Sequence, residues 1–153
     1  MLNEKHKKSL WIVFDKSRQT VGALESTLHG RPSPWDMTVC AGTGTLLGNL
    51  YMSIENILRL FVEGVYGERI VKDESWHKRL ITAGDTRKLL PAGIDDTLQN
   101  MRAFRHRLMH GYGIDMDEKK LRAVIPEAIG AYEKVEAHIR AMYPELNEDT
   151  TSV

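Results

Sequence analysis

Apolar residues recur at helical spacing along most of the chain, and no stretch alternates as a strand would. The pattern predicts a first helix over residues 3–29, with Leu10, Val13, Phe14, Val21, Leu24 and Leu28 as its buried stripe. Gly30-Arg31-Pro32-Ser33-Pro34 ends it, because two prolines and a glycine remove donors and favour non-helical backbone. A second helix carries Leu47, Leu50, Ile54, Ile57, Leu58, Phe61 and Val65 on one seam and frays at Gly64 and Gly67. A short helix over 74–83 is expected behind Asp73 as its cap, followed by loop through Gly84 and Pro91-Ala92-Gly93. A third long helix starts at Asp95 or Asp96, which suit an N-cap and the positive end of the dipole. Its apolar side is Leu98, Met101, Phe104, Leu108 and Met109, and Gly111 and Gly113 mark its end. The last helix starts at Asp115 or Asp117, keeps a seam of Leu121, Val124, Ala128, Tyr132, Val135, Ile139 and Met142, and is kinked or split by Pro126. Four long helices and one short one make an all-α, up-and-down four-helix bundle with an additional short helix. Residues 1–144 form the single expected domain, and residues 145–153 a polar, disordered tail.

Composition narrows the class. The 153 residues suffice for one sizeable core. Charge is balanced, 21 basic residues against 21 acidic, which argues against a broad polyanion-binding surface and leaves room for a local basic patch. The single cysteine, Cys40, excludes an internal disulfide, fits a reducing cytosol and reads as buried filler. Lys5, Lys7 and Lys8 precede only a short apolar run, Leu10 to Phe14, closed by Asp15 and Lys16, so no signal segment is read there. Nothing approaches the ~20 apolar residues of a membrane span. A soluble cytoplasmic protein without a membrane partner is the expectation.

Chemistry concentrates at Arg105-His106-Arg107-Leu108-Met109-His110-Gly111-Tyr112. At about 100° per residue Arg105 falls in the middle of the third helix's apolar stripe. A guanidinium stays charged, so a buried one needs an anionic or hydrogen-bonding partner. One reading is an internal ion pair with Glu55, on the flank of the second helix's stripe beside Tyr51; the other is a cleft in which the cation faces a phosphate. His110 stands five residues on, about 140° round and ~7.5 Å along the axis, so spacing alone does not bring the two together. At the helix end, however, its imidazole can leave the helix surface and carry protons near neutral pH. His106 and His110 have the i, i+4 spacing of a two-histidine metal grip. The zincin carboxylate is missing between them, and Arg102, Arg105 and Arg107 would repel a cation, so the expectation is an anionic ligand and no metal. Trp76, His77, Trp11, Trp35 and Tyr66 read first as packing residues, and Lys119-Lys120 as solvated surface.

These residues resemble the HEPN superfamily, whose ribonucleases carry Arg-x4–6-His with a polar residue directly after the arginine. Arg105 to His110 has the four-residue gap and His106 as the polar follower, where the usual follower in the HepT branch is asparagine. His110-Gly111-Tyr112 completes the Arg-x4-His-x-Tyr form, which looks like the HepT toxin branch. Tyr51-Met52-Ser53-Ile54-Glu55-Asn56-Ile57 and Glu74-Ser75-Trp76-His77-Lys78-Arg79-Leu80-Ile81 are similar to a HepT-like ribonuclease family. The resemblance implies a HEPN-type bundle and a metal-independent endoribonuclease without a cofactor, working as a homodimer with motifs from both subunits in one cleft. It implies Arg105 and His110 as catalytic residues with His106 in support; Glu55 reads first as a structural partner of Arg105 and otherwise as a supporting site residue, and the local surplus of positive charge makes Arg102 and Arg107 candidate RNA-phosphate contacts. The resemblance further implies a toxin whose partner is a minimal nucleotidyltransferase antitoxin that adenylylates Tyr112. His110 would move protons, Arg105 would hold the scissile phosphate, and the products would be a 2′,3′-cyclic phosphate and a 5′-hydroxyl. The alternative it leaves open is a non-catalytic HEPN module that docks a nucleotidyltransferase or nucleotides.

Overall fold

In the computed structural model, residues 2–110 and 117–148 are described. They form α1 (Glu4–Gly30), α2 (Met37–Arg59), α3 (Trp76–Thr86), α4 (Asp95–Met109) and α5 (Glu118–Met142), with no strand among the described residues. Asn3, Asp36 and Asp117 cap α1, α2 and α5, each through a side-chain oxygen that accepts a backbone N–H at 2.8 Å. Helix α4 starts differently from the expectation. Its N-cap is Ile94, which is buried, and Asp95 and Asp96 sit in the first turn, where they complement the dipole without capping.

Helix α2 is the central element, packing against α1, α3, α4 and α5. Its residues Leu50, Ile57 and Leu58 are fully buried, each contributing roughly 1.5–3 kcal/mol of burial free energy. It begins ten residues before the periodic seam that predicted it, at Met37. At the start of that seam α4 lies close: a Cβ on Gly48 would meet Leu108 Cδ2 at 3.2 Å. At its other end α2 passes into a π-helical turn, Leu60–Val65, that keeps Phe61 and Val62 in the core.

Helix α3 runs past its expected end at Ala83 to Thr86. Gly84 makes that possible, since a side chain there would press on the buried Leu58, with Cδ2 2.7 Å from the Cβ position. Ser75 is the N-cap residue of α3; the expected cap, Asp73, instead accepts the Ser75 N–H at 2.9 Å and pairs with Arg79. Pro126 does not split α5: the helix continues through it, with Ile125, Ala128 and Ile129 all buried. Met109, expected on the apolar side of α4, is 66% exposed. Part of the expected polar tail is packed as well. Pro144–Asn147 forms a 3-10 turn whose Leu146 is buried, with its carbonyl accepting from Trp11 Nε1 at 3.1 Å and from Arg140 Nη1 at 2.8 Å. The expected helix end at Gly111 and Gly113, the alternative helix start at Asp115 and the tail over residues 149–153 lie outside the described residues.

Glu118 ties the α1–α2 connection to α5. Its carboxylate accepts from Ser33 Oγ, from Trp35 N at 2.6 Å and from Arg122 Nε at 2.8 Å, and these bonds hold it below the usual carboxylate range. A depressed carboxyl contributes stability that is present above its ordinary value of 4.5 and is lost as pH falls through the lower folded value. Glu118→Gln is therefore expected to be less stable than the parent at pH 7, with the gap closing as pH drops below 4.5. Urea unfolding of both proteins between pH 7 and pH 3 checks this; a gap independent of pH would contradict it.

Candidate active site

Helices α2, α3 and α4 meet around one buried carboxylate. Glu55 on α2 is 4% exposed, and a carboxylate that deep requires partners. Its closest is His77 on α3, whose Nδ1 is hydrogen-bonded to Glu55 Oε2. The other oxygen, Oε1, lies 4.0 Å from Arg105 Nη1 on α4. The Arg105 side chain is 20% exposed and that of His77 is 23%, so both reach the surface from either side of the carboxylate. The expected contact between Arg105 and Glu55 is therefore present at the limit of ion pairing, while the tight partner of Glu55 is His77.

His77 is held in place from outside as well. Its ring stacks on Trp76 at 3.6 Å between centroids, and the guanidinium of Arg59 lies 4.8 Å from the Trp76 ring. Beside Glu55, the Tyr51 hydroxyl is buried without a hydrogen-bond partner among the described residues. Burial first, and then the Glu55 carboxylate, push its phenol up, so it stays neutral.

Arg102 lies about 60° round α4 from Arg105. It is exposed and donates Nε to Gln99 Oε1 at 3.1 Å, on the rim of this cluster rather than bonded within it. Arg107 lies apart from the cluster. It is about 200° from Arg105 and lines a groove between α4 and α5 with Met101, Phe104 and Val124. His106 and His110 are exposed and lie against each other, with ring centroids 4.2 Å apart. His110 is the C-cap of α4, and its N–H reaches the His106 carbonyl at 3.1 Å. No hydrogen bond or ion pair among the described residues joins His110 to Arg105. Tyr112 lies outside the described residues. Among the described residues, no three His, Cys, Asp or Glu side chains gather as metal ligands, and no helix is long and apolar enough to cross a membrane.

Reading the sequence alone left His77 among the packing residues. The available signal was the pairing of a carboxylate on an apolar flank with an imidazole in the similar Ser75-Trp76-His77 stretch. The register of α3 against α2, which joins them across 22 residues of sequence, could not be computed from spacing.

This arrangement supplies a cation that can meet a phosphate, a carboxylate-oriented imidazole near it, and a pair of imidazoles at the end of the helix that carries the cation. A family model described as HepT-like protein matches residues 42–146, from early α2 through the 3-10 turn that buries Leu146. No curated protein and no solved structure matches the chain.

Proposed function

The chain belongs to the HepT-like protein family, and from that premise we propose that it is a metal-independent endoribonuclease, the toxin of a toxin–antitoxin pair. The observation that supports this most is the state of Arg105. Its guanidinium is 4.0 Å from a carboxylate already engaged by His77, and one fifth of its side chain is exposed. A cation held in a fixed position but not saturated is what a scissile phosphodiester needs. RNA brings its own nucleophile, the 2′-hydroxyl, so the protein has only to move protons and offset the developing charge. His110, with the His106 ring tilted against it, is the proton-transfer station, and Arg102 and Arg105 hold the backbone. Arg107 serves a neighbouring stretch of RNA, on the far side of the helix from Arg105.

Within one chain, helical geometry sets Arg105 and His110 about 140° apart. A homodimer in which two α4 helices line one cleft would combine Arg105 of one protomer with His110 of its partner. In this reading a minimal nucleotidyltransferase is the antitoxin. The AMP it transfers to Tyr112 brings bulk and negative charge into a cleft made for RNA phosphate. The Arg105–Glu55 contact favours the second reading, a non-catalytic module that docks the nucleotidyltransferase or nucleotides.

Incubating the purified protein with labelled RNA in excess EDTA separates the two. The expected result is shortened RNA ending in a 2′,3′-cyclic phosphate with a 5′-hydroxyl on the other fragment, and no cutting of 2′-O-methylated RNA. Intact RNA at high protein excess would leave only the docking module.

A further inference from the structure

Cleavage by 2′-hydroxyl attack needs two proton transfers on opposite sides of phosphorus, since the attacking and leaving oxygens lie in line. The 2′-oxygen loses a proton, and the 5′-oxygen gains one. A guanidinium keeps its protons, so Arg105 serves neither. His106 and His110 are in ring contact and form one station on the exposed side of α4. A second station is required elsewhere, close to the cation that holds the phosphate.

We infer that His77 is that station: the general acid that protonates the 5′-oxygen leaving group. This rests on the ribonuclease reading above. Glu55 Oε2 binds Nδ1 of His77, which leaves Nε2 as the nitrogen that can face substrate. The same carboxylate fixes the ring's orientation, so that Nε2 stays turned away from Glu55. The ring is oriented by its stack on Trp76, and its side chain is 23% exposed. Arg105 approaches the other oxygen of the same carboxylate, so a phosphate on Arg105 sits beside His77. Arg105, Glu55 and His77 all belong to one chain, so the assignment holds whichever protomer contributes His110.

The step balances without a co-reactant. The bond from the 2′-oxygen to phosphorus forms, and the bond from phosphorus to the 5′-oxygen breaks. His110 takes the 2′-hydroxyl proton, while His77 gives its Nε2 proton to the departing oxygen and becomes neutral. Exchange with water returns both imidazoles to their starting forms.

A leaving group that needs no acid exposes the role. The test uses a short RNA with an ordinary 5′-oxygen at the cleaved bond and the same RNA with a bridging 5′-sulfur, in EDTA under single-turnover conditions. His77→Asn places an amide N–H where Nδ1 stood, so the bond to Glu55 survives and only proton transfer is lost. The expected result is a rate on the oxygen substrate lower by about 10²–10⁴-fold, with a rate on the sulfur substrate within about tenfold of the parent. His110→Ala should be slow on both, because the base is still needed. Thermal unfolding and affinity for a 2′-deoxy oligonucleotide check that the variant is folded, with His77→Gln as the second variant. If the folded variants cleave the oxygen substrate as the parent does, or lose both substrates equally, His77 is not the acid. A parent protein that cleaves neither substrate would remove the ribonuclease reading itself, and this assignment with it.

Discussion

Alanine at position 105 is expected to lower single-turnover RNA cleavage by about 10³-fold or more. The guanidinium is the permanent cation that touches the site's buried carboxylate and still reaches the surface. Removing it takes away the group that offsets charge developing on the phosphate, which no imidazole in the cluster can replace. Lysine should restore part of the rate, because a point charge returns but the planar fork does not. The fold should survive both changes, since Glu55 keeps its tight bond to His77. Rates measured beside unfolding curves check this. Unchanged cleavage by a folded Arg105→Ala protein would show that the cation only pairs with Glu55.

Glu55→Ala should be costly in a different way. The side chain is 5% exposed and joins α2 to α3 and α4, so its loss leaves a cavity and separates two partners from their anchor. A sealed ion pair broken this way costs about 3–5 kcal/mol. Here His77 and Arg105 are each about a fifth exposed and can hydrate, which holds the expected loss to about 1–3 kcal/mol. For a chain of this length that lowers Tm by roughly 2–4 °C per kcal/mol. Cleavage should fall by about 10²-fold, because both groups drift from the geometry that the carboxylate imposes. Glu55→Gln keeps the volume and one bond to His77, so it should lie between the parent and alanine in both measurements. Denaturant unfolding and single-turnover rates on the three proteins provide the check, and an alanine variant as stable and as fast as the parent would contradict it.

How far the sequence reached depended on whether the signal was periodic. The seams of α1, α2, α4 and α5 each span several turns, and all four helices stand where those seams lie. Short-range features were harder to read. Gly42, Gly44 and Gly48 weaken helix propensity at the start of α2, yet the small residue at Gly48 is there to admit Leu108 from α4. Gly84 reads as a break and is instead the contact that seats α3 on Leu58. Leu146 is a lone apolar residue between Glu145 and Asn147, and no periodicity marks it as buried.

The site divides along the same line. Arg105 on the apolar stripe and Glu55 on the flank of its neighbour were legible, because helical angles alone place them. Their separation of 4.0 Å, the setting that leaves the cation incompletely paired, depends on which group Glu55 prefers. That preference is decided by His77, whose position follows from the docking of an 11-residue helix. A short helix carries too few turns to define its own register, so tertiary packing sets it.

Arginine side-chain NMR offers the most direct test of the cation's role. The Nε–H resonance of Arg105, assigned by comparison with Arg105→Lys, can be followed while an uncleavable 2′-deoxy oligonucleotide is added without metal. The expected result is a saturable shift of that resonance, which weakens as salt is raised. A resonance that stays in place while other surface arginines respond would mean that Arg105 belongs to Glu55 alone, and the ribonuclease assignment would fall.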